Sequence, residues 1–201
     1  MEDFSQHCPF TRFTHDLLAK TELNTAIYYL QHQSGFNINI VLYLLWLARS
    51  SYGRLTKKNI KLLQDQIALW HQRVIAELKY THALVANNVD PVAIQIKNAL
   101  QEEIAKAHII EQQMLYESRL KKQVLRRSPF QELADACASI VHYCELKNDL
   151  LIGNDQAAFT QLFYYIFDAM EKTDIEKQVA DAFLRFKTPS AQPVQMAWEE
   201  F

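Results

Sequence analysis

Apolar side chains along this chain recur at helical rather than strand spacing, and in one stretch they crowd out polar residues almost entirely. Between Gly35 and Arg49 the sequence runs Phe-Asn-Ile-Asn-Ile-Val-Leu-Tyr-Leu-Leu-Trp-Leu-Ala, and from Ile38 on a single Asn interrupts the apolar or amphipathic residues. A helix of that composition has no face to turn to water and must be surrounded by protein. It falls well short of the ~20 residues needed to cross a bilayer, so it reads as a central core helix. Beyond it, Ile60, Leu63, Ile67, Trp70, Val74, Leu78 and Val85 recur at steps of three, four or seven, while Lys61 with Asp65 and Arg73 with Glu77 form i,i+4 pairs. That spacing predicts a surface helix with one buried stripe. A further long helix places Ile96, Leu100, Ile104, Ala107, Ile110 and Met114 inward, with Glu102–Lys106 and Glu117–Lys121 pairs outside.

Breaks in this rhythm coincide with Pro9, Gly35, Gly53, Pro91, Pro129, Gly153, Pro189 and Pro193. Asp90-Pro91 and Ser128-Pro129 each set a capping side chain before a proline at the first helical position, where its missing N–H costs nothing. Helices are expected near 9–19, 22–33, 37–52, 57–86, 91–126, 129–150, 155–171 and 174–187. The fold class is all-α: a single bundle of seven or eight helices with a long central helix and a short C-terminal tail. Its expected organisation is a helical core over 1–127, a helical extension over 128–187 packed on that core, and a tail over 188–201. The helix over 91–126 would run about 50 Å, longer than such a domain is wide, so it either bends near Ser118 or projects as an arm.

Bulk composition changes the picture little. A net charge of −2 and a pI near 6.4 give no global field for nucleic acid or anionic membrane. Cys8, Cys137 and Cys144 are odd in number with no close-spaced pair, the reverse of a disulfide framework. The opening residues carry neither the basic region nor the apolar stretch of a secretory signal, and reduced cytoplasm is the expected compartment.

Candidate chemistry is sparse. His108-x-x-Glu111 with Glu102 and Glu103 reverses the Glu-x-x-His order of di-metal bundles and reads as a solvated helix face. His142 with Cys137 and Cys144 offers soft ligands, but His142 lies about 140° and 160° around the helix from the two thiols, so one helix cannot close a zinc site. Nucleophile elbows and glycine-rich phosphate loops are missing from the sequence. Asn148-Asp149 and Asn154-Asp155 read as a helix end and a cap. No catalytic residue, cofactor site or metal site is expected. Asn37 and Asn39 suit the capping of the core helix, or alternatively a polar ligand site at its buried N-terminus. The run Arg119-Leu-Lys-Lys-Gln-Val-Leu-Arg-Arg127 holds five cations and no acid. It complements a helix C-terminus or docks an acidic partner or phosphate.

One resemblance emerges from these residues. Leu30-Gln31, Gly35, Asn37 to Asn39 and Leu42-Tyr43-Leu44-Leu45-Trp46-Leu47-Ala48 resemble the signature of a family of small helical bacterial proteins known only as a domain of unknown function. Trp70 followed by Arg73-Val74-Ile75 and Leu78-Lys79 is similar to that family's W-R-x-x-V-V-x-P-L-R stretch, and an acidic-amphipathic run from Glu111 to Glu117 follows. The resemblance covers roughly residues 10–125 and departs at Glu77, where the family tends to proline, and at Thr81 and His82, where it tends to arginine. It implies a bacterial cytoplasmic protein with an all-helical fold and carries over no catalytic residue.

Three functional readings follow. The first is a non-enzymatic helical adaptor, self-associating through the aromatic-rich Phe159–Phe167 region or docking through the tail residues Trp198 and Phe201. The second is a small-ligand binder or enzyme with a pocket at the core helix lined by Asn39, Tyr43, Trp46 and Trp70. The third is an RNA or ribosome contact through Arg119, Lys121, Lys122, Arg126 and Arg127, disfavoured because aromatics for base stacking are not interleaved there.

Overall fold

The apolar run forms a helix, α3 (Ile38–Arg49), and every residue from Ile38 to Ala48 is buried. The computed structural model describes residues 8–118, 120, 123–147 and 153–187, with side chains as far as Leu184. Around α3 stand α1 (Pro9–Leu18), α2 (Asn24–Tyr28) with a π-helical turn (Tyr29–Gln33), α4 (Lys57–Trp70), a second π-helical turn (His71–Ile75) continuing into α5 (Ala76–Val85), and α6 (Pro91–Tyr116). α7 (Pro129–Lys147), α8 (Gly153–Ile166) and α9 (Lys172–Lys187) complete an all-α bundle without a strand among the described residues. α1, α6 and α7 pack directly on α3, and α8 and α9 close over α7 and α2. One continuous apolar cluster runs from Cys8 through α3 to Phe183.

The helix starts follow their capping side chains. Asn37 Oδ1 accepts from Ile40 N at 3.2 Å, Thr56 caps α4, and Asp90 caps α6 ahead of Pro91. At the other end of α3, Arg49 donates to Glu132 at 3.2 Å and to the Ile166 carbonyl at 3.2 Å, tying α3 to α7 and α8. The chain then turns through Ser51 and Gly53, both at positive φ.

Four expectations need correction. α6 stops at Tyr116 rather than near 126, and residues 123–128 are not helical. Leu125 N donates to the Ser51 carbonyl at 2.7 Å and Arg127 pairs with Asp135 at 3.1 Å, which draws the segment across the α3–α4 turn. The described part of the basic run therefore caps no helix. In α4–α5 the π-helical turn inserts a residue and moves the buried stripe from Val74 to Ile75, which is fully buried. On α6 the inward positions include Ala107, Glu111, Gln112 and Leu115, while Ile96 and Ile110 are exposed. Finally, Phe159, Phe163 and Phe167 are buried within the chain, leaving Tyr165 as the exposed ring of that region. The surplus aromatic surface that suggested self-association is covered by the protein's own helices.

α5 contributes no buried residue, and Tyr80, Leu84, Val89 and Val92 stand exposed on α5, α6 and the connection between them. This hairpin forms an exposed arm, whereas the arm expected from the sequence rested on a helix reaching residue 126, which α6 does not do.

Candidate functional site

An acidic side chain on the inner face of α6 organises the polar interior. Glu111 is completely buried, one turn before Leu115 on the stripe that faces α3. Its Oε2 accepts from Asn39 Nδ2 at 2.6 Å, and its Oε1 accepts from Asn37 Nδ2 at 3.3 Å. His71 Nδ1 lies 2.8 Å from Oε1, and because a carboxylate only accepts, that ring nitrogen carries the hydrogen. His71 is the first residue of the second π-helical turn, so the extra residue that shifts the stripe also aims this imidazole at α6. Such turns recur at functional sites.

Burial alone pushes the Glu111 carboxyl up; His108, His71 and Asn39 outweigh it and hold the pKa down at about 2. The group is thus an ionised carboxylate inside the protein. Its charge also reaches half-buried Lys79 on α5, whose pKa is lowered by burial against the pull of Glu111.

Asn39 passes this order on. Its Nδ2 lies 3.1 Å from His108 Nδ1, the ring nitrogen that also stands 3.9 Å from Glu111 Oε2. Its Oδ1 accepts from Gln112 Nε2 at 3.1 Å. Every polar atom of the buried Asn39 side chain is engaged, and His108 and Gln112 are fixed with it. Behind Asn37, the Tyr143 hydroxyl of α7 accepts the Asn37 N–H at 3.2 Å, and burial pushes the Tyr143 pKa up.

On the other side of Asn39, His108 and Gln112 a cleft of about 1140 Å³ opens between α1, the π-helical turn after α2, the start of α3, and α6. Its walls include Leu18, Ile27, Ile38, Ile104 and Ile109, and its polar groups include Gln31 and Gln101. Thr11 and Thr14 line it from α1, and among the described residues neither of their buried hydroxyls has a hydrogen-bond partner. The volume lies just above the ~300–1,000 Å³ range of small-molecule sites.

Of the four pocket residues expected from sequence, Asn39 lines this cleft and Tyr43, Trp46 and Trp70 do not. Trp46 packs against the rings of Phe10, Tyr43, Tyr52 and Tyr116 at centroid distances of 5.6–5.7 Å. Tyr43 meets Ser118 Oγ at 3.3 Å, and its pKa is pushed up to about 12 by burial. Trp70 Nε1 donates to the Ala107 carbonyl at 3.0 Å, clamping α4 to α6. Three of the four are packing residues. His142 donates to the Leu55 carbonyl at 2.7 Å, and Cys137 and Cys144 are buried as thiols. Asp155 is buried and accepts from Ser34 Oγ, a tie between α8 and the loop before α3. Among the described residues no group of three or more His, Cys, Asp or Glu is disposed to hold a metal. Of the proposed partner surface, Arg126 is exposed and Arg127 pairs with Asp135, while Arg119, Lys121, Lys122, Trp198 and Phe201 lie outside the described residues.

Sequence reasoning missed Glu111 and His71 as site residues. A signal for Glu111 existed: Ile104, Ala107, Glu111 and Leu115 share one helix face, so an acid occupies a place where the stripe calls for an apolar residue.

Over residues 10–118 the chain matches a family described as protein of unknown function, DUF2390. The chain belongs to this family. The DUF2390 span runs from α1 to the end of α6 and contains every residue of the cleft together with Asn37, His71 and Glu111, but not Tyr143. No curated protein and no solved structure matches the chain. Among the described residues no helix is long and apolar enough to cross a membrane.

Proposed function

We propose that this chain is a small-molecule binding protein whose site is the cleft between α1, α3 and α6. One observation carries the reading: the floor of the cleft is made of side chains, Asn39, His108 and Gln112, whose orientations are fixed by a buried ionised carboxylate behind them. Preorganised polar groups at the base of an apolar cleft are what ligand sites are built from. Binding is favoured over catalysis because both Glu111 oxygens already accept N–H groups, leaving the carboxylate poorly placed as a base. The test is native mass spectrometry of the purified protein beside Ala105→Trp, which fills the cleft from an exposed position on its wall. A small molecule retained one-to-one by the natural chain and lost from the variant, at an unchanged unfolding midpoint, supports the site; identical spectra for both overturn it.

A second reading is favoured by a separate observation, the exposed apolar side chains of the α5–α6 arm, which suit contact with another protein chain. Light scattering of the natural chain and of Leu84→Glu tests the case in which that partner is a second copy: a dimer that the substitution dissociates supports it, and a monomer throughout refutes it. The three free, buried cysteines fit a reducing cytoplasm as the working compartment.

A further inference from the structure

Resting on the reading of the cleft as a ligand site, we infer that its ligand is an amphipathic monoanion, an aliphatic body carrying a single anionic head. Among the described residues no carboxylate lines the cleft, and the lining groups able to carry charge are Arg12, His15 and His108, all of them cationic when charged. Asp16, 3.5 Å from His15, is not part of the lining. Among the described residues the apolar walls are aliphatic and hold no aromatic ring, so they offer contact area to a hydrocarbon but no platform for stacking a base or planar heterocycle.

The position of the head follows from electrostatics. Glu111 keeps its negative charge immediately behind Asn39 and His108, which disfavours a second anion at the floor. The α1 wall presents Arg12 and His15 instead, beside the two unpartnered hydroxyls of Thr11 and Thr14. A buried hydroxyl without a partner is costly to the free protein and is satisfied by an accepting oxygen of a ligand. The head therefore sits against α1, and the aliphatic body lies along Ile104 and Ile109 of α6.

The probes are octanoate, octan-1-ol and octylammonium, titrated by calorimetry into the natural full-length chain, Arg12→Gln and Ala105→Trp. Arg12 is exposed, and an unchanged unfolding midpoint of Arg12→Gln checks that its replacement leaves the fold intact. Octanoate is expected to bind at least about tenfold more tightly than octan-1-ol, with octylammonium weakest; Arg12→Gln removes most of the preference for the acid and leaves the alcohol unchanged. Equal affinity for acid and alcohol, or an acid affinity untouched in Arg12→Gln, overturns the anionic head while the cleft stands. Octanoate binding that survives Ala105→Trp overturns the cleft as the site. No binding by any of the three overturns the ligand class, and the molecule retained in the mass-spectrometric test reads the cleft independently.

Discussion

Replacing Glu111 by Gln keeps the shape of the side chain and removes its charge, which isolates the contribution of the buried carboxylate to folding. In the native protein its pKa is about 2, against 4.5 for the free side chain. At ~1.36 kcal/mol per unit, that difference amounts to about 3 kcal/mol favouring the folded state when the group is ionised. Because the folded value is the lower one, the contribution is fully present above the unfolded-state pKa and is lost as pH falls toward the folded-state pKa. Glutamine has no such titration, and its amide also sets a donor against N–H groups that now point at an acceptor. Urea denaturation of both proteins, followed by circular dichroism from about pH 7 to about pH 3.5, reads the difference directly. The natural chain is expected to be more stable by about 3 kcal/mol near neutrality, with the gap shrinking to about 2 kcal/mol by about pH 3.5 as the natural chain loses its advantage. A gap that stays constant with pH, or one below about 1 kcal/mol at neutrality, refutes the reasoning: the carboxylate would then not be held ionised by His108, His71 and Asn39.

Other perturbations test the packing that positions the site. Trp46→Ala removes a ring contacted by four other aromatics and should cost about 3–5 kcal/mol in chemical denaturation; a loss under about 1 kcal/mol would contradict its burial. The displaced stripe is checked by comparing Ile75→Ala, expected to cost about 2–5 kcal/mol, with Val74→Ala, expected to cost clearly less because that residue is only half-buried; the reverse order would place the helix in its regular register. Gly53 has φ +79° and a Cβ there would lie 2.9 Å from Leu125 Cδ1, so Gly53→Ala should lower stability by about 1–2 kcal/mol, read as a fall in the unfolding midpoint.

Much of the framework was legible because a few residues say one thing at every level. Asp90-Pro91 and Ser128-Pro129 open helices where expected, and the run from Ile38 to Ala48 is buried as its lack of a polar face demands. The site was less legible for two physical reasons. An acid among other charges on a long helix reads as solvated, and only its coincidence with the Ile104–Ala107–Leu115 face argues otherwise; choosing Ile110 in place of Glu111 rotates the whole stripe. A π-helical turn leaves no compositional trace, so the shift from Val74 to Ile75 and the aim of His71 follow from tertiary packing rather than local preference. Asn37 was readable as a cap, and it is one, but its second role on Glu111 depends on a residue 74 positions away. The end of α6 was misplaced because the bonds that pull Leu125 and Arg127 off the helical path are made to Ser51, distant in sequence, and to Asp135 on the following helix.

The DUF2390 match ends at Ser118, yet the wall that seals α3 on its remaining side is α7, with Tyr143 holding the Asn37 backbone and packing its ring 5.6 Å from Phe36. A protein truncated at the family boundary would turn a band of leucines and isoleucines outward and lose the partner that steadies the very asparagine beneath Glu111. Relatives that share only the matched stretch must therefore shield that band with some other surface, and any attempt to produce the stretch alone should yield insoluble material unless such a shield is supplied.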